Sequence, residues 1–129
     1  MYKEGMLSEG CLKNKAFIVT GGASGLGKSM TSYLLRLGAN VVIVSRNEEK
    51  LKKATLDLGE SCLFDNSITY QVCDVRNGDA IQKVIDKSFD SHNKIDGIIN
   101  NAAGNFIAPT ESLSPNAFSA IIDIVLKGT

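Results

Sequence analysis

A chain of 129 residues suffices for one modest domain and excludes two. Its 43% hydrophobic and 22% charged content is that of a soluble globular protein. Fourteen basic and fourteen acidic side chains cancel, so no bulk field favours nucleic acid or an anionic membrane.

The N-terminal stretch "MYKEGMLSEGCLKNK" has no apolar run of signal-peptide length, and its two glutamates argue against a mitochondrial transit sequence. No window approaches a membrane span. A cytoplasmic protein is expected, with residues 1–13 as an N-terminal arm and a single domain from 14 to 129. Cys11, Cys62 and Cys73 form no C-x-x-C pair, and an odd number suits no simple disulfide framework. Buried or idle thiols are expected. The single histidine, His92, lies in the polar "DSHNK" and is expected to be a solvated helix-end residue, so no metal site is expected.

From residue 15 onward, apolar β-rich runs alternate with helical patterns. "KAFIVT" (15–20), "NVVIVS" (40–45), "ITYQVC" (68–73) and "IDGIIN" (95–100) read as strands. The first, second and fourth are nearly continuously apolar, as expected of parallel strands covered on both faces. Leu26, Met30, Leu34 and Leu37 recur at helical spacing, with Gly38 fitting the C-terminal cap. Leu51, Ala54, Thr55 and Leu58 mark a second helix; Ile81, Val84, Ile85, Ser88 and Phe89 mark a third. Ser114 followed by Pro115 reads as an N-cap and first-turn proline, opening a fourth helix through Phe118, Ile121, Ile122 and Val125. This alternation implies a parallel sheet with right-handed crossovers. The pattern stops after a helix without a fifth strand, so half of a domain is expected.

"TGGASGLG" (20–27) follows the first strand and opens the first helix. Glycines allow close backbone approach, so the helix N-terminus can meet a pyrophosphate. The spacing T-G-x-x-x-G-x-G is wider than the G-x-G-x-x-G of the commonest dinucleotide fingerprint. Ordinary tight turns also use glycine; the strand-to-helix context favours nucleotide binding through Gly21, Gly22, Ala23, Ser24, Gly25, Leu26 and Gly27. The second strand ends "VSRN", with Ser45 and Arg46 where an acidic residue would bind the ribose hydroxyls of NAD. A 2′-phosphate would meet no carboxylate there and would gain a charge-assisted partner, which favours NADP(H). The alternative is a surface arginine at a helix start. In "CDVR", Asp74 sits where a carboxylate accepts from an adenine amino group, or else caps a helix.

Taken together, these pieces resemble the short-chain dehydrogenase/reductases. "TGGASGLG" is similar to that family's glycine motif, "CDV" (with Asp74 and Val75) to its adenine contact, and "NNA" (with Asn101 and Ala102) to its turn after the fourth strand. "NNAAGNFIAPTESLSPNAF" and "DIVLKGT" resemble one branch in particular, the 2,4-dienoyl-CoA reductases; "MLSEGCLKNKAFIVTGG" does so more loosely. The resemblance covers Met6 to Thr129, about the first half of such an enzyme. It implies an α/β fold, a Rossmann-type doubly wound parallel sheet represented by about four strands and four helices. It also implies NADPH-dependent reduction of a 2,4-dienoyl-CoA to a 3-enoyl-CoA in fatty-acid β-oxidation, an acyl-CoA thioester partner, and a homotetrameric full-length protein.

Ordinary family members carry an asparagine within N-L-x-G of the fourth helix that helps hold a proton-relay water. Here Val125 stands there, as in the dienoyl-CoA reductase branch. By the same resemblance Asn105 donates to the thioester oxygen during reduction, Phe106 flanks the acyl chain, and Arg76 and Ser114 touch the acyl-CoA. On chemistry alone Asn105 reads as a turn amide and Phe106 as a core ring, while Ser114 is also an N-cap and Arg76 also a solvated charge. None of Tyr2, Tyr33 and Tyr70 begins the Y-x-x-x-K that carries the family's catalytic pair. A fragment ending before that pair, itself inactive, is therefore expected. The alternatives are a generic reductase of keto or hydroxy substrates, such as a 3-oxoacyl reductase, and a non-catalytic nucleotide-binding module.

Overall fold

The computed structural model describes residues 6–104 and 109–129. Four parallel strands, β1 (Ala16–Thr20), β2 (Asn40–Ser45), β3 (Ile68–Val72) and β4 (Gly97–Ile99), form a sheet in the order β3-β2-β1-β4. Helices α1 (Gly25–Arg36), α2 (Glu48–Gly59) and α3 (Gly78–His92) connect them, and α4 (Pro115–Ile122) runs into a π-helical turn, Asp123–Lys127. The fold is the expected Rossmann-type α/β arrangement.

The two faces of the sheet explain the continuous apolar runs. Val19, Val41 and Ile43 point to one face and meet Leu35 of α1 and Leu51, Ala54 and Leu58 of α2. Ile18, Val42 and Val44 point to the other and meet Val84 of α3. Alternate residues of β1 and β2 thus enter different cores, so a period-two pattern has no place in them. Leu35, Ile43 and Leu51 are fully buried, each contributing about 1.5–3 kcal/mol relative to exposure.

Three expectations need correction. The buried stripe of α1 is Gly27, Thr31 and Leu35, one residue away from the expected face, and Leu26 is 77% exposed. Small residues at 27 and 31 let the helix approach the backbone of the turn, which leaves Leu26 outside while Leu35 and Leu37 stay buried. β4 is a short edge strand with Ile98 48% exposed, so it is not covered on both faces. His92 does end α3, but its imidazole is half-buried and its Nε2 is enclosed without a hydrogen-bond partner among the described residues, so it is not solvated. Gly38 follows α1 at φ +94, as its cap role requires.

The described part of the N-terminal segment docks on the domain. The Leu12 N–H donates to the Leu37 carbonyl at 3.0 Å, and the Lys13 ammonium lies 4.3 Å from the centre of the Phe64 ring. No helix among the described residues is long and apolar enough to cross a membrane.

Candidate dinucleotide site

Parallel strands deliver their following loops to one end of a sheet, and here those loops surround a cavity of about 680 Å³. That volume lies within the range of small-molecule sites. Its walls come from the glycine turn (Gly21, Ala23, Ser24), the end of β2 (Ser45, Arg46), the end of β3 (Cys73, Asp74, Val75) and the turn after β4 (Asn101, Ala102, Ala103).

The glycine turn is held by backbone contacts at distances that exclude side chains. Gly21 adopts φ +67 and its N–H donates to the Val44 carbonyl at 2.7 Å. A Cβ on Gly27 would lie 2.2 Å from the Gly21 carbonyl oxygen, so only glycine lets α1 start this close to the turn. Thr20 and Asn101 brace the arrangement. The Thr20 hydroxyl oxygen accepts from the N–H groups of Asn101 and Ala102 at 3.0 and 2.9 Å. The Asn101 amide donates to the carbonyls of Thr20 and Gly21 at 3.2 and 3.3 Å.

The N-terminus of α1 differs from the other helix starts. Asn47, Asn77 and Ser114 each accept a hydrogen bond from the first turn of α2, α3 and α4. Ser24, the N-cap of α1, accepts none, and no acidic residue lies in that first turn. Among the described residues the leading N–H groups of α1 therefore have no capping side chain at the edge of the cavity, as suits an anion-binding helix start.

Charge around the cavity is divided. Arg46 and Lys50 supply cations on the α2 side. Asp74 supplies a carboxylate on the β3 side, and it is gripped by Arg76. The Arg76 Nε lies 3.0 and 3.1 Å from the two carboxylate oxygens, Nη2 lies 2.6 Å from Oδ2, and the backbone N–H donates to Oδ1 at 3.0 Å. These bonds from Arg76 hold the Asp74 carboxyl at about 2, with a further contribution from the field of Arg46. Burial, reinforced by Asp74, pushes the adjacent Cys73 thiol up, which keeps it protonated and unreactive.

Nine of the residues expected at a cofactor line the cavity: Gly21, Ala23, Ser24, Ser45, Arg46, Asp74, Val75, Asn101 and Ala102. Gly22 and Gly27 lie behind it, against Ile43 and the Gly21 carbonyl, while Gly25 faces open space. Leu26 is exposed outside it. Arg76 is outside the lining, paired with Asp74. The Ser114 hydroxyl caps α4, accepting from the Ala117 N–H at 3.2 Å. Val125 sits half-exposed in the π-helical turn, and its neighbour Ile124 reaches the cavity. Asn105 and Phe106 lie outside the described residues. Sequence reasoning missed Lys50, which lies in the first turn of α2 and lines the cavity together with Arg46 and Asn47.

A family model described as short chain dehydrogenase matches residues 15–129. A protein of Bacillus subtilis named "Probable 2,4-dienoyl-CoA reductase [(2E)-enoyl-CoA-producing]" is 39% identical over 118 residues, covering 92% of this chain and 45% of the relative. A Caenorhabditis elegans protein named "Probable 2,4-dienoyl-CoA reductase 3 [(3E)-enoyl-CoA-producing]" is 42% identical over 133 residues, covering 96% and 40%. The crystal structure of a short chain dehydrogenase from Bacillus anthracis superposes with a TM-score of 0.85 at 46% identity, over 92% of this chain and 48% of that one. The chain thus spans less than half the length of these relatives. With a matching family model over nearly its whole length, and with the glycine turn and strand order to go with it, the chain belongs to the short-chain dehydrogenase family.

Proposed function

We propose that this chain is the cofactor-binding half of an NADPH-dependent 2,4-dienoyl-CoA reductase. The observation that carries the cofactor part is the cavity itself. An uncapped helix start faces it from one side, and Arg46 and Lys50 from another, with no carboxylate at the end of β2. In this reading the pyrophosphate meets the N–H groups of α1 and the 2′-phosphate meets Arg46 and Lys50. The adenine amino group donates to Asp74, and Asn101 keeps the glycine turn in place. NADP(H), when bound, supplies the hydride.

The substrate part rests on the resemblance of residues 100–118 and 123–129 to the dienoyl-CoA reductases, on relatives that carry that name, and on Val125 in place of the usual helix asparagine. Hydride addition to the far carbon of a conjugated dienoyl thioester drives negative charge onto the thioester oxygen. Asn105 donates to that oxygen as the charge develops, Phe106 flanks the acyl chain, and Arg76 and Ser114 contact the acyl-CoA. A tyrosine and a lysine from the remainder of the full-length protein complete the site.

Asn105→Ala in the full-length protein tests this assignment. NADPH affinity should be nearly unchanged, whereas kcat and kcat/KM for dienoyl-CoA should both fall about a hundredfold, the scale of a lost oxyanion donor. A folded, NADPH-binding alanine variant with unaltered turnover would reduce Asn105 to a turn residue.

A further inference from the structure

Asp74 and Arg76 serve two different ligands in the proposed function, yet in the structure they serve each other. A carboxylate offers about four lone-pair sites, and Arg76 alone makes four contacts with Asp74. Oδ1 takes the backbone N–H and Nε; Oδ2 takes Nη2 and a share of the same Nε proton. Those four contacts come from three N–H groups, so a further donor reaching Asp74 from the cavity competes first with the shared Nε bond. The shared Nε bond is the weakest point, since one proton divides between two acceptors. Losing it also ends the side-on geometry that makes an arginine–carboxylate pair strong.

The guanidinium has somewhere to go. Its side chain is 42% exposed, and the backbone N–H bond to Oδ1 does not depend on it. It also feels the carboxylate of Asp123, at the start of the π-helical turn whose Ile124 borders the cavity. Asp123 Oδ1 is itself paired with Lys127 at 2.6 Å.

We propose that the Asp74–Arg76 ion pair couples the two ligand sites: an amino donor arriving at Asp74 from the dinucleotide frees the Arg76 guanidinium for the anionic end of the acyl-CoA. The inference rests on the roles given to Asp74 and Arg76 in the proposed function and adds an order of events to them. The dinucleotide prepares the acyl-CoA site before the thioester is seated. By linkage the acyl-CoA tightens the dinucleotide by the same factor.

The test uses the full-length protein and hexanoyl-CoA, which has no double bond to reduce, titrated with and without saturating NADP+. NADP+ should tighten hexanoyl-CoA about five- to tenfold, within the usual range of site coupling. The hypoxanthine analogue of NADP+, with a carbonyl in place of the adenine amino group, should bind without tightening it. Asp74→Asn, which weakens the hold on Arg76, should bind hexanoyl-CoA tightly whether or not NADP+ is present. Equal affinity with and without NADP+ in the unmodified protein, or equal tightening by the hypoxanthine analogue, would overturn the coupling. Arg76→Gln separates this from the reading beneath it. If that variant weakens hexanoyl-CoA but NADP+ has no effect on the unmodified protein, only the coupling is wrong. If it leaves hexanoyl-CoA affinity unchanged, Arg76 does not serve the acyl-CoA at all.

Discussion

Gly27→Ala perturbs the cradle at its tightest contact. The new Cβ would lie 2.2 Å from the Gly21 carbonyl oxygen, 2.8 Å from its carbon and 2.6 Å from the Asn101 amide nitrogen. Ordinary carbon–oxygen contacts need roughly 3.3 Å or more, so α1 or the turn must move by about 1 Å. Movement of the turn strains the Gly21–Val44 hydrogen bond and both Asn101 bonds. Overpacking of this kind costs about 1–3 kcal/mol, and a lost hydrogen bond adds roughly 1 kcal/mol. The helix-propensity gain of alanine over glycine, about 1 kcal/mol, offsets only part of this. The expected net loss is about 2 kcal/mol, or roughly 4–8 °C in Tm for a full-length protein of ordinary domain size. NADPH affinity should fall at least tenfold, because the displaced N–H groups are those proposed to meet the pyrophosphate. Thermal unfolding and NADPH fluorescence titration read the two effects separately. Gly59→Ala, at the end of α2 with nothing within 4 Å, is the control and should be neutral or slightly stabilising. Gly25→Ala meets no neighbour but sits at φ +52, so it should cost about 1–2 kcal/mol through backbone strain. A Gly27→Ala protein that melts and binds NADPH like the Gly59→Ala control would refute the close-approach reasoning.

Thr20→Val keeps the volume but removes the acceptor of two backbone N–H groups; a loss of about 2–4 kcal/mol is expected in urea unfolding, and a neutral result would mean that the turn after β4 is held otherwise. Arg46→Ala should erase most of an NADPH-over-NADH preference of at least tenfold, about 1.4 kcal/mol, and Lys50→Ala should remove part of it; equal affinity for both cofactors in the unmodified protein would contradict the 2′-phosphate assignment. Acid should loosen the β3 end of the cavity. Asp74 titrates at about 2 in the folded chain against 3.8 ordinarily, a depressed value, so its contribution is complete above pH 4 and is lost as pH falls through 2. Asp74→Asn should flatten that part of an acid-unfolding curve, by about 1 kcal/mol or less given the partial exposure of the pair; an unaltered curve would show the pair contributing nothing.

Much of the fold was legible because local and global signals agree. The runs at 16–20 and 40–45 are apolar without alternation because each strand feeds two cores, and Ser114-Pro115 starts α4 as its chemistry dictates. The glycine turn was legible for the same reason: its glycines fall between a buried strand and an amphipathic helix, where close backbone approach is needed. What escaped depends on neighbours distant in sequence. The face of α1 follows Gly27 and Thr31, which carry little hydrophobic signal, because the helix is seated on the Gly21 backbone. The exposure of Ile98 follows from strand order, which periodicity does not encode. The enclosed Nε2 of His92 reflects a local environment that "DSHNK" does not announce. The grip of Arg76 on Asp74 spans only two residues, yet Asp74 was expected at an adenine amino group or a helix cap and Arg76, by resemblance alone, at the acyl-CoA.

The relatives' names divide on one chemical point, whether the product is a (2E)- or a (3E)-enoyl-CoA. The most direct measurement is therefore the product formed by the full-length protein from a 2,4-dienoyl-CoA and deuterated NADPH, identified by NMR. The account predicts NADPH consumption with a single 3-enoyl-CoA, deuterium on the far carbon of the original diene and a solvent proton beside the carbonyl. No turnover of the dienoyl-CoA alongside rapid reduction of a 3-oxoacyl thioester would contradict it, as would a 2-enoyl-CoA product.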